Sequence, residues 1–157
     1  MLNNVKFRKT GLYRIIIPIG LGSGLSMLGD STVYTVLPLN TEAAGITLIS
    51  AGILMGINRL VRLFTNGFSG ILYDFGNKRK IFLASLFLGG FSTLVFAVFT
   101  GFWPLFVSRI LWGIAWSGIL IGATSILLAE ADLESRGICI GMHQMWILGG
   151  SAAGSIL

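Results

Sequence analysis

The chain has 157 residues, 54% of them hydrophobic and only 11% charged, with a mean hydropathy of +0.86. Soluble domains hold roughly 45–50% apolar and 25% charged residues, so a water-solvated fold is excluded and lipid is the expected solvent. The formal net charge of +5 lies between apolar stretches rather than on one basic surface, which argues against nucleic acid as a partner and for a record of membrane topology.

In chain order, Lys6, Arg8, Lys9 and Arg14 precede an apolar run that continues to Leu39. The start resembles a signal peptide, but no small-residue cleavage site closes it, so an uncleaved first span is expected over about 12–39. Crossing the hydrocarbon takes about 20 apolar residues. Further runs long enough to cross occupy about 45–72, 81–100, 104–129 and 138–157. The expected fold is therefore an all-α membrane protein of about five transmembrane helices with no soluble domain beside them. The amino terminus and the connections 73–80 and 130–137 hold eight of the eleven basic residues, and the opposite connections hold none. The positive-inside rule then puts the amino terminus in the cytoplasm. Cys139 is the lone cysteine and is expected to pack in the fifth span; it can form neither an intrachain disulfide nor a cysteine-based metal site.

An ionisable group at mid-membrane costs about 2.5–3.5 kcal/mol even on the lenient insertion scale, so each needs a partner, a cavity or a route to the interface. Met55, Arg59, Arg62, Asn66 and Ser69 recur at helical spacing and draw one polar stripe along the second span. Arg59 lies about 16 Å from Gly70 at the inner end and Arg62 about 12 Å, so snorkelling suits Arg62 and is hard for Arg59. Two readings stand: a structural network tying Arg62 and Asn66 to the inner interface, or a cationic lining for an anionic substrate or a proton-linked carboxylate. Asp30 and Arg109 sit at matching depths in the outer halves of the first and fourth spans, where they are expected to pair; alternatively Asp30 caps a broken helix or faces outer water. His143 with Gln144 is expected to pack or to line a cavity. The 22 glycines lie largely inside spans and imply tight helix packing, with Gly52/Gly56 and Gly118/Gly122 at small-xxx-small spacing.

The sharpest local pattern is Gly70-Ile71-Leu72-Tyr73-Asp74-Phe75-Gly76-Asn77-Lys78-Arg79-Lys80, between the second and third spans. It resembles the signature loop of major facilitator superfamily transporters, G-x-L-a-D-R-x-G-R-K-R, with Gly70, Leu72, Asp74, Arg79 and Lys80 in register. Gly70 would allow close helix contact there, and Asp74 would cap or face a helix amino terminus. Phe75 replaces the usual Arg. Asn77 replaces the usual Gly, and since Asn tolerates a left-handed backbone the turn is expected to persist. Arg109-x-x-x-Gly113 resembles the fourth-helix motif R-x-x-Q-G, with Trp112 in place of Gln. Gly141, Gly150 and Gly154 match the glycine spacing of the fifth-helix antiporter motif, with Ser155 in place of its Pro.

The resemblance implies most of one six-helix half of such a transporter, cut inside the fifth helix. The expected activity of the full-length form is proton-coupled export of a small anionic or amphiphilic molecule from the inner cell membrane. Asp30 is then the coupling carboxylate, Arg59, Arg62, Asn66 and Arg109 line the cavity, and Gly141, Gly150 and Gly154 gate it. The partners implied are the lipid bilayer, the substrate, a proton and the missing carboxy-terminal half. A non-transporting membrane fragment or accessory protein is the alternative. No H-E-x-x-H, G-x-S-x-G or G-x-x-x-x-G-K-[ST] pattern occurs, so no hydrolase or ATPase is expected, and neither catalytic residues, cofactor nor metal.

Overall fold

A computed structural model describes the backbone of residues 2–156 and the side chains of 13–156. The side chains of Lys6, Arg8 and Lys9, and all of Leu157, lie outside the described residues. The elements are α1 (Leu2–Val36), a 3₁₀ turn (Leu37–Leu39), α2 (Leu48–Phe75), α3 (Lys78–Val98), α4 (Phe102–Glu130) and α5 (Arg136–Ile156), with no strand among the described residues. α2, α3 and α4 are long and apolar enough to cross a membrane. α1 and α5 are diluted by glycine and serine, the small residues that helix packing in lipid calls for.

Local chemistry sets the boundaries. α2 starts at Leu48 because Gly45 turns the chain at φ +67° and Thr47 then caps the helix, its hydroxyl accepting from the Ser50 N–H at 3.2 Å. Nothing in Tyr73-Asp74-Phe75 breaks a helix, so α2 runs through them. The expected connection over 73–80 shrinks to Gly76 and Asn77, and Gly70, Leu72 and Asp74 are helical.

Asn77 corrects the reading of that turn. It is extended (φ −75°, ψ 101°), not left-handed, and its side-chain oxygen accepts from the Lys80 N–H at 3.2 Å. It is the amino-terminal cap of α3, a position where Asn serves better than Gly. Asn77→Ala should therefore cost about 1 kcal/mol of thermal stability in detergent and Asn77→Gly only a few tenths. A left-handed turn would instead make Asn77→Gly stabilising.

α4 is the hub, packed closely on α2 and α3, while α1 packs mainly on α5. The larger core joins Ile16 and Ile19 of α1, Phe82 of α3, Trp112, Trp116 and Ile119 of α4 and Cys139 of α5. At the other end Leu37, Ala51, Leu54 and Leu105 close a second cluster. Polar groups inside the bundle are paired across helices. Ser92 and Ser108 each donate to the other's carbonyl at 2.7 and 2.8 Å, stitching α3 to α4. The Thr65 and Ser117 hydroxyls meet at 2.7 Å between α2 and α4. The Tyr73 hydroxyl, fully buried, donates to the Gly118 carbonyl at 2.9 Å. Gly118 and Gly122 leave room for this: a methyl at Gly122 would run into the Tyr73 ring, and one at Gly118 into Ser85.

The α1·α5 seam is tighter still. A methyl at Gly150 would strike the Gly24 carbonyl, and one at Gly154 the Leu28 carbonyl, so the two backbones touch. Ser31 donates to Ser151 at 2.9 Å and Thr32 to the Gly154 carbonyl at 3.1 Å along the same line.

Candidate functional site

The centre of the site is Asp30 on α1 with Arg109 on α4, both almost fully buried, the guanidinium donating directly to the carboxylate. Their similar depth, readable from the sequence, becomes contact because α1 and α4 run side by side at this level. Asp30 therefore neither caps a broken helix nor faces outer water: α1 continues through it to Val36. Aromatic rings cover Arg109, with Phe96 at 4.8 Å and Tyr34 at 5.5 Å from its central carbon. Beside the pair, Ser92, Phe96, Ser108 and Trp112 help enclose a void of about 10 Å³, close to the space of one water molecule.

The α2 stripe faces this centre from one side. Tyr34 bridges to it, its hydroxyl donating to the Met55 carbonyl at 3.2 Å and its ring lying 5.8 Å from the Arg59 guanidinium. Arg62, half-buried, lies over Trp116 at 5.6 Å and within electrostatic reach of Asp30 and Arg59. Arg59 itself is exposed, so the lining expected from the sequence is open at this position. Asn66 is half-buried, and its side-chain oxygen has no partner. Ser69, the last member of the stripe, is buried.

Several predicted residues stand apart from the centre. Asp74 is exposed and makes no hydrogen bond or ion pair with the described residues; α3 is capped by Asn77 instead. Nothing approaches within 4 Å of a methyl placed at Gly70, so the close helix contact expected there is absent. Leu72 and Lys80 are exposed, and Arg79 reaches Glu130 at 3.8 Å across the exposed ends of α3 and α4. Gly113 allows close contact between α2 and α4, since a methyl there would press on the Asn58 carbonyl and on Val61. Gly150 and Gly154 lie in the α1·α5 seam, whereas Gly141 has open space beside it and takes no part.

Sequence reasoning passed over four groups. Tyr34 falls four residues after Asp30, on the same face of α1, which is the signal that could have found it. Tyr73 sits inside the basic motif. Asn58 is fully buried with neither amide atom paired, one residue before Arg59, and the indole nitrogen of Trp116 is likewise unpaired. His143, read earlier with Gln144, instead meets Ser23 at 3.0 Å across the α1·α5 seam. A separate groove of about 580 Å³ between α1 and α3, walled by Leu28, Val36, Phe96 and Phe99, includes none of the four charged site residues. No group of metal-ligating side chains occurs among the described residues.

Apolar helices with a buried ion pair between α1 and α4 and a half-buried arginine of α2 beside it define a multi-pass membrane protein with a polar centre. The family model of the Major Facilitator Superfamily matches residues 19–157. The chain belongs to that superfamily. It is 30% identical over 103 residues to the quinolone resistance protein NorA of Staphylococcus aureus, in strains N315 and MW2 among others; the match covers 66% of this chain and 26% of that protein. The matched part thus spans about a quarter of the length of these relatives. No solved structure matches the chain.

Proposed function

We propose that this chain supplies the α1, α2 and α4 wall of a proton-coupled exporter of small anionic or amphiphilic molecules. The observation that carries this reading is the buried Asp30–Arg109 pair beside a polar stripe on α2. A carboxylate held by one arginine in an apolar setting has two states of different charge, and a protein that exposes it to either side of the membrane in turn can exchange a proton for cargo. Membership of the superfamily and similarity to a protein named for quinolone resistance support export as the direction. The basic residues then hold the amino terminus on the cytoplasmic side of the inner cell membrane. In this reading Asp74, Arg79 and Lys80, exposed at one end of the bundle, meet a second helical half, and Gly150 with Gly154, where α1 and α5 touch, serve as the gating glycines. No enzymatic step belongs to this reading.

The test is efflux driven by an imposed pH gradient in proteoliposomes carrying the chain within a full-length transporter. Asp30→Asn is expected to bring gradient-driven flux to background while downhill substrate exchange continues. Unchanged gradient-driven flux would remove Asp30 from the coupling role.

A further inference from the structure

We infer that Arg59 and Arg62 form an oxyanion subsite for the carboxylate head of an amphiphilic ligand, each guanidinium braced on an aromatic face. This rests on the transport reading and deepens it by naming the head group and the residues that take it.

The charge balance is the first argument. Asp30 is the one carboxylate set deep within the described helices; Glu42, Asp74, Glu130, Asp132 and Glu134 lie at helix ends or in connections. Arg109 already holds Asp30 in direct contact. Arg59 and Arg62, one turn apart on α2, have no carboxylate within ion-pair distance among the described residues, and each repels the other. Asp30, already held by Arg109, offsets the field of Arg62 only in part, so the two cations leave a net positive potential that a negative ligand reduces further.

Geometry is the second argument. Arg59 lies over Tyr34 and Arg62 over Trp116, at 5.8 and 5.6 Å. A π face within about 6 Å steadies each cation without taking its N–H groups as a hydrogen-bond acceptor would, and neither Arg59 nor Arg62 makes a hydrogen bond or ion pair among the described residues, so their N–H groups remain to match the two oxygens of a carboxylate. Tyr34 is fixed in turn by its bond to the Met55 carbonyl at 3.2 Å, so Arg59 is held in place from α1 as well as α2. Side chains three residues apart lie about 5–6 Å from each other at Cβ, a span that one carboxylate bridges with an oxygen to each arginine. Arg59 is exposed and Arg62 half-buried, so the head group has a way in. The feature recognised, two oxygens sharing one negative charge, is offered both by the carboxylate of a free organic acid and by the phosphodiester of an anionic lipid.

The experiment is equilibrium dialysis of 2-naphthoate and its neutral isostere 2-naphthamide against the whole chain in phosphatidylcholine nanodiscs at pH 7.4, with empty discs subtracted. Naphthoate is expected to bind at least tenfold more tightly than naphthamide. Arg59→Gln with Arg62→Gln should abolish that preference, and Arg59→Lys with Arg62→Lys, which keeps the charge but not the fork, should weaken naphthoate while keeping it ahead of naphthamide. Phosphatidylglycerol in the discs that competes naphthoate away, with the competition lost in the Gln pair, would identify a lipid head group as the occupant of the same subsite. Equal binding of the two probes, or a preference that survives the Gln pair, overturns the subsite. Arginine-dependent binding beside flux that ignores Asp30→Asn would overturn the coupling role alone.

Discussion

Asp30→Ala and Arg109→Ala are each expected to destabilise the bundle by about 3–5 kcal/mol, read as a lower unfolding temperature in detergent, because each leaves its partner as an uncompensated buried charge. The two are not expected to be equal. Arg109 without Asp30 keeps Phe96 and Tyr34 against its faces, at 4.8 and 5.5 Å, and such contacts are worth up to about 2 kcal/mol when desolvated. Asp30 without Arg109 keeps the Trp112 indole beside it and the more distant field of Arg62, but no cation in contact. Removing both charges together, as Asp30→Leu with Arg109→Met, should restore most of the stability, since replacing a whole buried pair by apolar groups is often neutral. Exchanging the charges, Asp30→Arg with Arg109→Asp, should recover part of it. A double change no more stable than the worse single one would show that the pair does not act as a unit, and the double-mutant cycle gives the coupling directly.

Gly150→Ala and Gly154→Ala are expected to cost about 1–3 kcal/mol each, and Gly149→Ala and Gly141→Ala nothing or a slight gain. The contrast between neighbours 149 and 150 is the point. A methyl at 150 meets the Gly24 carbonyl and one at 154 the Leu28 carbonyl, and backbone has no rotamer through which to yield; a methyl at 149 or 141 meets nothing within 4 Å. The helices would have to separate, which would also stretch the Ser31–Ser151 and Thr32–Gly154 hydrogen bonds. The fraction of chain that stays folded during detergent extraction, compared across the four variants, checks this. Equal effects at 149 and 150 would place the seam elsewhere.

These two results meet on α1. The helix offers Leu28, Ser31 and Thr32 to α5 and Asp30 to α4, so its closest helix contact and its one buried carboxylate share a single turn and point to different neighbours. A change of charge at Asp30 thus acts on the same segment whose packing the glycines set.

The sequence by itself determined what depends on position along the chain. Long apolar runs make helices whatever their neighbours, because backbone polar groups in lipid must be satisfied within the helix. The matching depths of Asp30 and Arg109 follow from counting residues, and the superfamily membership from motifs in a fixed order. Only the tertiary structure decided what depends on how each helix is rotated about its axis and which neighbour it meets. The spacing of Gly141, Gly150 and Gly154 is the same pattern whether or not a backbone lies opposite, yet two of them touch α1 and the third faces open space. Tyr34 and Tyr73 look like ordinary apolar positions until the two arginines near the ring of one and the α4 carbonyl bonded to the other come into view. Asn77, expected in a left-handed turn, became a helix cap because the neighbouring Lys80 N–H needed an acceptor. Depth in the membrane is a one-dimensional quantity and can be read from a string of residues; lateral contact is set by helix packing, which small side chains from distant parts of the chain decide together.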